Sequence, residues 1–280
     1  MAKEKFYGMK NDYMFKAVLQ TSDEVLRNLV ATLMEIDESQ IVSCEIVNSF
    51  ELGTSVDSKE CILDVKLILN GDEIVDLEIQ VRDEHNWSER SLFYWARAYD
   101  SIKSGQDYST LKKTYHIGIL DFTLFNNNPR FYSEYKVMDT RSGYVYSDML
   151  NIRILDLTRI DEVDEEDNPM LVKWAKVFKA ESMKELEQLA KNEEVLEEMV
   201  SHIRKLSEDE RIRLQCEARE DYERRLIGQY KQGMNAGIEA GREEGKIDLL
   251  IAQVKDGLIS IDNAAKYLEI TQDEFRKRIM

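Results

Sequence analysis

The sequence predicts an α/β fold, a mixed central sheet flanked by helices, followed by an α-helical C-terminal region, and three observations predict it. Residues 75–81 alternate apolar and polar side chains with a period of two, the pattern of a strand. The segment 115–122, with Ile117, Ile119 and Leu120, reads as a strand buried in the middle of a sheet. Beyond Pro169 the chain runs to Tyr230 with one glycine, Gly228, among abundant Glu, Lys and Leu, the composition of long amphipathic helices.

The elements follow in order. Residues 11–19 form a short helix, and Ser22 caps a second over 23–35, whose Val25, Leu26, Leu29, Val30 and Leu33 make one apolar stripe. Strands are predicted at 41–51, 61–69 and 73–81, with Asn70-Gly71 supplying a hairpin turn between the last two. A helix over 88–104 is stopped by Gly105. Strands at 115–122, 131–138 and 152–157 complete the sheet. The acidic stretch 161–167 before Pro169 marks a boundary, which gives a catalytic-type domain over 1–160, a helical region over 161–230 and a terminal region over 231–280. In the last, Gly233, Gly237, Gly241 and Gly245 recur every four residues, each costing about 1 kcal/mol relative to alanine within a helix. Either helix backbones approach closely along this stripe, joining protomers into a homo-oligomer with a dimer favoured, or the segment is a loosely helical linker. Ser260 and a capping box from Thr271 to Glu274 then start two short helices. With near-neutral charge and no basic recognition helix, they fit an oligomerisation hairpin better than a DNA-reading helix-turn-helix.

Composition narrows the function classes. No apolar run approaches the roughly 20 residues that span a bilayer, and the first ten residues lack the apolar core of a signal peptide. Cys44, Cys61 and Cys216 lie far apart with no CxxC spacing, which predicts reduced thiols and a cytoplasmic protein. His85, His116 and His202 are equally scattered, giving little support to a histidine base or a zinc cluster. The net charge of −17 argues against tight binding to nucleic acid. A chain that needs only a local cationic face tolerates it, and its affinity for a polyanion is then weak and salt-sensitive.

The chemistry concentrates on two strands. In 75–81 the alternation sends Val75, Leu77, Ile79 and Val81 to one face and Asp76, Glu78 and Gln80 to the other. In 61–69 Asp64 and Lys66 stand opposite Cys61, Leu63, Val65, Leu67 and Leu69, among Ile62 and Ile68. An acid among apolar neighbours is costly unless compensated, and a hard divalent cation such as Mg²⁺ or Mn²⁺ compensates it. Parity decides whether the two strands can share such a cation. A two-residue turn would put Asp64 opposite Leu77, whereas an odd loop, or a bulge, brings Asp64 to the face of Glu78; an odd loop or a bulge, with Gly71 at positive φ, is therefore predicted. Asp76, on the same face, reads as a surface acid paired with Lys66, and a solvated sheet face is the alternative for the whole group.

Asp64, followed fourteen residues on by Glu78-Ile79-Gln80, resembles the PD-(D/E)XK nuclease motif in its E-x-Q form. Within that superfamily the chain resembles the recombination-promoting nuclease and putative transposase group, through "KNDYMFKAVL" (10–19), "RSLFYWARAY" (90–99), "SGQDYSTLKKTYHIGILDF" (104–122) and the glycine-repeat tail. The resemblance implies a restriction-endonuclease-like core and Mg²⁺-dependent cleavage of DNA in recombination or mobile-element movement. It implies that Asp64 and Glu78 hold the metal, that Gln80 stands where most relatives have lysine, and that Asp12 matches an acidic position often contributing to such sites. Glutamine can orient water but cannot lend charge, so Lys66 is a candidate substitute. Arg90, Tyr94 and Arg97, at spacings of four and three, are predicted to present one helix face to the DNA backbone. The rival reading is a catalytically impaired member acting as a DNA-binding or self-assembling scaffold.

Overall fold

The computed structural model describes residues 5–48, 65–100, 102, 105–163 and 167–279. The chain forms two compact units, Met1–Glu220 and Asp221–Met280.

In the first unit, side chains start the helices where the sequence places them. The Asn11 side chain accepts a bond from the Met14 N–H at 3.1 Å and opens α1 (Asp12–Thr21); Ser22 Oγ does the same for Val25 at 3.1 Å and opens α2 (Asp23–Met34). The C-terminus of α2 has orphan carbonyls to satisfy. Glu35 turns the chain with a φ of 53°, and the Leu33 carbonyl accepts bonds from the Tyr132 hydroxyl and from Arg153 Nη1 at 3.1 Å.

A mixed six-stranded sheet follows, built from β1 (Cys44–Ile46), β2 (Val65–Leu69), β3 (Glu73–Gln80), β4 (Lys113–Leu120), β5 (Tyr132–Met138) and β6 (Val145–Asp156), in the spatial order β1-β2-β3-β4-β6-β5. β3 and β4 are parallel, as are β4 and β6; the other pairs are antiparallel. β6 begins seven residues before the predicted strand, because its first half pairs with β5 as a bulged hairpin instead of with β4. β1 is shorter than the predicted strand at 41–51, whose last three residues lie outside the described ones.

The register of β2 on β3 runs from Leu69↔Glu73 through Lys66↔Asp76 to Val65↔Leu77. Three residues, Asn70, Gly71 and Asp72, therefore make the connection, the odd count that parity demanded, and Gly71 takes the predicted positive φ, at 79°. The turn is clipped at several points. Asn70 Oδ1 accepts from the Val42 N–H at 2.7 Å and the Ser43 N–H at 3.2 Å, Asn70 Nδ2 donates to the Gln40 carbonyl at 3.0 Å, and Lys112 Nζ donates to the Gly71 carbonyl at 2.6 Å.

One face of the sheet carries Val65, Leu67, Val75, Leu77, Ile117 and Ile119 into a core with α1, α2, α4 (Pro169–Lys179), α5 (Met183–Ala190) and α6 (Glu194–Glu208). Phe15, Phe178 and Trp174 anchor it, and the Trp174 indole N–H donates to Asn28 Oδ1 at 3.0 Å. The change from strands to helices near residue 160 is thus a change of element type within one core. Among the described residues, the other face is covered by one helix, α3 (Trp87–Tyr99), over a small cluster of Trp87, Leu120, Ile152 and Ile154. α3 ends at Asp100, where ψ of 65° leaves the helical path, five residues before the predicted stop; Gly105, at φ 88°, belongs to a later turn.

The division between the units falls inside α7 (Glu210–Lys255). The second unit has its own core, formed by Leu250 of α7, Ala264 and Ala265 of α8 (Ile261–Tyr267) and Phe275 of α9 (Gln272–Ile279). Ser260 caps α8, and Thr271 and Glu274 form a reciprocal capping box: the Thr271 N–H donates to Glu274 Oε2 at 2.8 Å, and the Glu274 N–H donates to Thr271 Oγ1 at 3.3 Å. The repeating glycines at 233, 237, 241 and 245 are helical and exposed, with no atom within 4 Å of the place a Cβ would take.

Candidate active site

β3 is buried on both faces, and the two faces differ in chemistry. Val75 and Leu77 are inaccessible on one; Asp76 and Glu78, at 3% and 8% exposure, are almost as deeply covered on the other. α3 makes the difference, since it closes over what would otherwise be a solvated polar face. The expectation of a surface acid at Asp76 is thereby corrected. Asp76 aligns with Lys66 in β2 on one side and with His116 in β4 on the other, and its Oδ2 lies 3.1 Å from His116 Nδ1.

The neighbour of Glu78 in β4 is Gly118, and this vacancy admits a helix side chain. A Cβ at Gly118 would sit 2.2 Å from Trp87 Cζ2, so the indole rests directly on the β4 backbone. Its ring is tilted against His116 with centroids 5.6 Å apart, and Tyr94 stacks on the same imidazole at 6.4 Å. The imidazole, itself without solvent exposure, is thus held in its plane by two aromatics and oriented by one carboxylate.

Glu78 has Arg90 on one side and His116 on the other. Arg90 Nη2 is 2.5 Å from Oε1, and the guanidinium also reaches Glu84 at 3.5 Å and lies over the Tyr94 ring at 5.5 Å. His116 Nε2 is 3.8 Å from Oε2. Burial pushes the Glu78 carboxyl above the usual carboxylate range, against the opposing pull of Arg90 and His116. Gln80 ends the strand with its Nε2 donating to the Arg82 carbonyl at 2.8 Å. Among the described residues, Gln80 Oε1, His116 Nε2 and Trp87 Nε1 are buried without a hydrogen-bond partner. His116 Nε2 and Gln80 Oε1 are suited to face a cation or ordered water, and the Trp87 N–H to donate to water, since orphaned polar groups are otherwise costly.

Other predicted site residues fall elsewhere. Asp64 lies outside the described residues, and among those described no group of three His, Cys, Asp or Glu side chains is placed to hold a metal. The carboxylate of Asp12 is gripped by Arg219 of α7, with Nε at 2.9 Å from Oδ2, an ion pair that ties α1 to the start of the long helix. Arg90 and Tyr94 share a helix face, as their spacing implies, but both are half-buried there and Arg90 reaches Glu78 on the sheet. Arg97 is exposed, over the Phe93 ring at 5.7 Å. Sequence reasoning passed over His116; its signal was a lone polar side chain two positions before a glycine in an otherwise apolar run. It also passed over Lys10, whose Nζ bonds Asp121 Oδ2 at 3.0 Å, while the Asp121 N–H donates to the Gln80 carbonyl at 3.0 Å. A lysine is thereby brought to the end of the strand that carries Glu78 and Gln80.

Among known proteins, the family described as "PD-(D/E)XK nuclease family transposase" matches residues 9–228. Comparison with curated proteins and with solved structures gives no match.

Proposed function

Because this chain belongs to the PD-(D/E)XK nuclease family transposases, we propose that it is a metal-dependent endonuclease that hydrolyses DNA phosphodiester bonds, with Mg²⁺ or Mn²⁺ as cofactor and a role in recombination or transposition. The observation that carries this reading is the covered polar face at Glu78, where a buried carboxylate lies beside a buried imidazole nitrogen without a hydrogen-bond partner. Burying such a group without a task to perform is a standing cost to the fold.

Asp64 and Glu78 would hold the cation. The sequence alternation that puts Asp64 in phase with Lys66 supports this pairing, since Lys66 aligns with Asp76 on the strand that carries Glu78. When bound, the cation would supply Lewis-acid stabilisation of charge on the phosphate oxygens and an activated water. Gln80 would orient that water through Oε1, its amide nitrogen being fixed by the Arg82 carbonyl. Arg90 would hold Glu78 ionised against the effect of burial. Lys66 and Lys10 would supply the positive charge that Gln80 does not. Arg97 would contribute to the DNA-facing surface. Asp12 would act through its ion pair with Arg219. No helix of the described residues is long and apolar enough to cross a membrane. The free thiols of Cys44 and Cys216 support placing the protein in the cytoplasm. Homodimerisation through the terminal helices remains part of the proposal, carried by the open glycine stripe of α7.

One observation favours the impaired-scaffold reading: Arg90 already occupies one oxygen of Glu78. A plasmid-nicking assay with Mg²⁺ separates the two. Cleavage that falls at least about 100-fold in Asp64→Ala and in Glu78→Ala is expected, in line with the loss of a principal charge-stabilising group. Absence of cleavage by the unaltered protein with either metal, or equal cleavage by the variants, overturns the nuclease reading.

A further inference from the structure

The cation proposed above is of the oxygen-liganded kind, but the group with the most evident vacancy near Glu78 is a nitrogen. His116 has no solvent exposure, and its Nδ1 is committed to Asp76 at 3.1 Å. A neutral imidazole that donates from Nδ1 to a carboxylate keeps its lone pair on Nε2. That Nε2 has no hydrogen-bond partner among the described residues, and at 3.8 Å it is too far from Glu78 Oε2 to form one. Rotation offers no escape, because Trp87 and Tyr94 lie against the ring. A carboxylate-fixed imidazole with a buried, unused Nε2 is the arrangement that metal-ligating histidines adopt.

We propose that His116 Nε2 is a direct ligand of the metal held by Glu78, with Asp76 as its positioning carboxylate, so that the site is a mixed nitrogen and oxygen site and not an all-oxygen one. This rests on the metal-nuclease reading and specifies which ions it takes. The two donor atoms are 3.8 Å apart, within the roughly 4.2 Å that two bonds of about 2.1 Å can span. Arg90 is on Oε1, which leaves Oε2, the oxygen facing His116, for the ion. Gln80 Oε1 is a further neutral oxygen without a partner on the same strand face. An imidazole ligand favours transition ions over Mg²⁺, so Mn²⁺ binds more tightly than Mg²⁺, and Co²⁺ and Zn²⁺ more tightly still.

Pulsed electron paramagnetic resonance of bound Mn²⁺ tests this without relying on cleavage, since the spectrum reports ¹⁴N coupling from a coordinated imidazole. The other two histidines, His85 and His202, each pair with a nearby carboxylate, Asp83 and Glu198, and are replaced together to remove their signal. In His85→Gln/His202→Gln the nitrogen coupling is expected to persist, and adding His116→Gln is expected to abolish it. Asp76→Asn is expected to weaken Mn²⁺ binding about 10- to 100-fold by calorimetry, as for other carboxylates that support a ligating histidine. Mn²⁺ bound in a Glu78-dependent manner with no nitrogen coupling overturns the His116 assignment and leaves the carboxylate site standing. Mn²⁺ binding that is absent, or indifferent to Glu78→Gln, overturns both. The spectrum of the double variant is decisive by itself should the His116 variant fail to fold.

Discussion

Around β3 the two faces of the sheet are buried to nearly the same depth by different means. On one, Val75 and Leu77 disappear into a core shared by several helices, and burial itself is the stabilising event. On the other, Asp76 and Glu78 lie under one helix, which contributes little apolar area and leaves several polar atoms unanswered. Adjacent residues on one strand therefore have opposite thermodynamic roles. Burial stabilises the fold at Leu77 and costs it at Glu78.

The sharpest way to break that contrast is to compare two neighbours. Leu77→Ala is expected to cost about 2–5 kcal/mol in urea unfolding, the range for emptying a close-packed core site. Glu78→Gln is expected to change stability by about 1 kcal/mol or less, since it removes a desolvated charge while Arg90 keeps access to Glu84 and to solvent. A Glu78→Gln cost as large as that of Leu77→Ala would mean that the polar face is structural. Next in size is Gly118→Ala, expected to cost about 1–3 kcal/mol, because the added methyl group meets the Trp87 ring at 2.2 Å. Relief of that cost by a concurrent Trp87→Leu would sharpen the picture of α3 resting on bare backbone, and no relief would contradict it. The smallest effect is expected from the opposite kind of glycine. Gly241→Ala meets nothing within 4 Å and should raise the melting free energy of the second unit by about 0.5–1 kcal/mol. Destabilisation there, accompanied by loss of mass in sedimentation, would instead show that copies of α7 approach closely along the stripe.

The parts of this arrangement that depend on short-range pattern were legible in the sequence. Alternation separated Leu77 from Glu78, parity required the odd turn at Asn70–Asp72, and Asn11, Ser22, Ser260 and Thr271 marked helix starts. The parts that depend on which strand lies beside which were not. His116 is 40 residues from Asp76 and meets it only through a parallel pairing that no turn signals. Arg90 shows the limit of helical spacing. Periodicity fixed that Arg90 and Tyr94 share a face, but nothing local determined that this face would turn toward Glu78. Asp76 was misplaced for the same reason, since its burial is decided by α3.

The clipped turn between β2 and β3 makes chain length a stricter requirement there than residue identity. Asn70, fastened to Gln40, Val42 and Ser43, and Gly71, fastened to Lys112, prevent the hairpin from absorbing a change by sliding. An in-frame loss of a single codon within 70–72 would reverse the inside and outside of one whole strand against the other, exchanging hydrocarbon for charge along the ladder. Substitutions within the turn are local injuries, but a change in its count is a change of address for every side chain that follows.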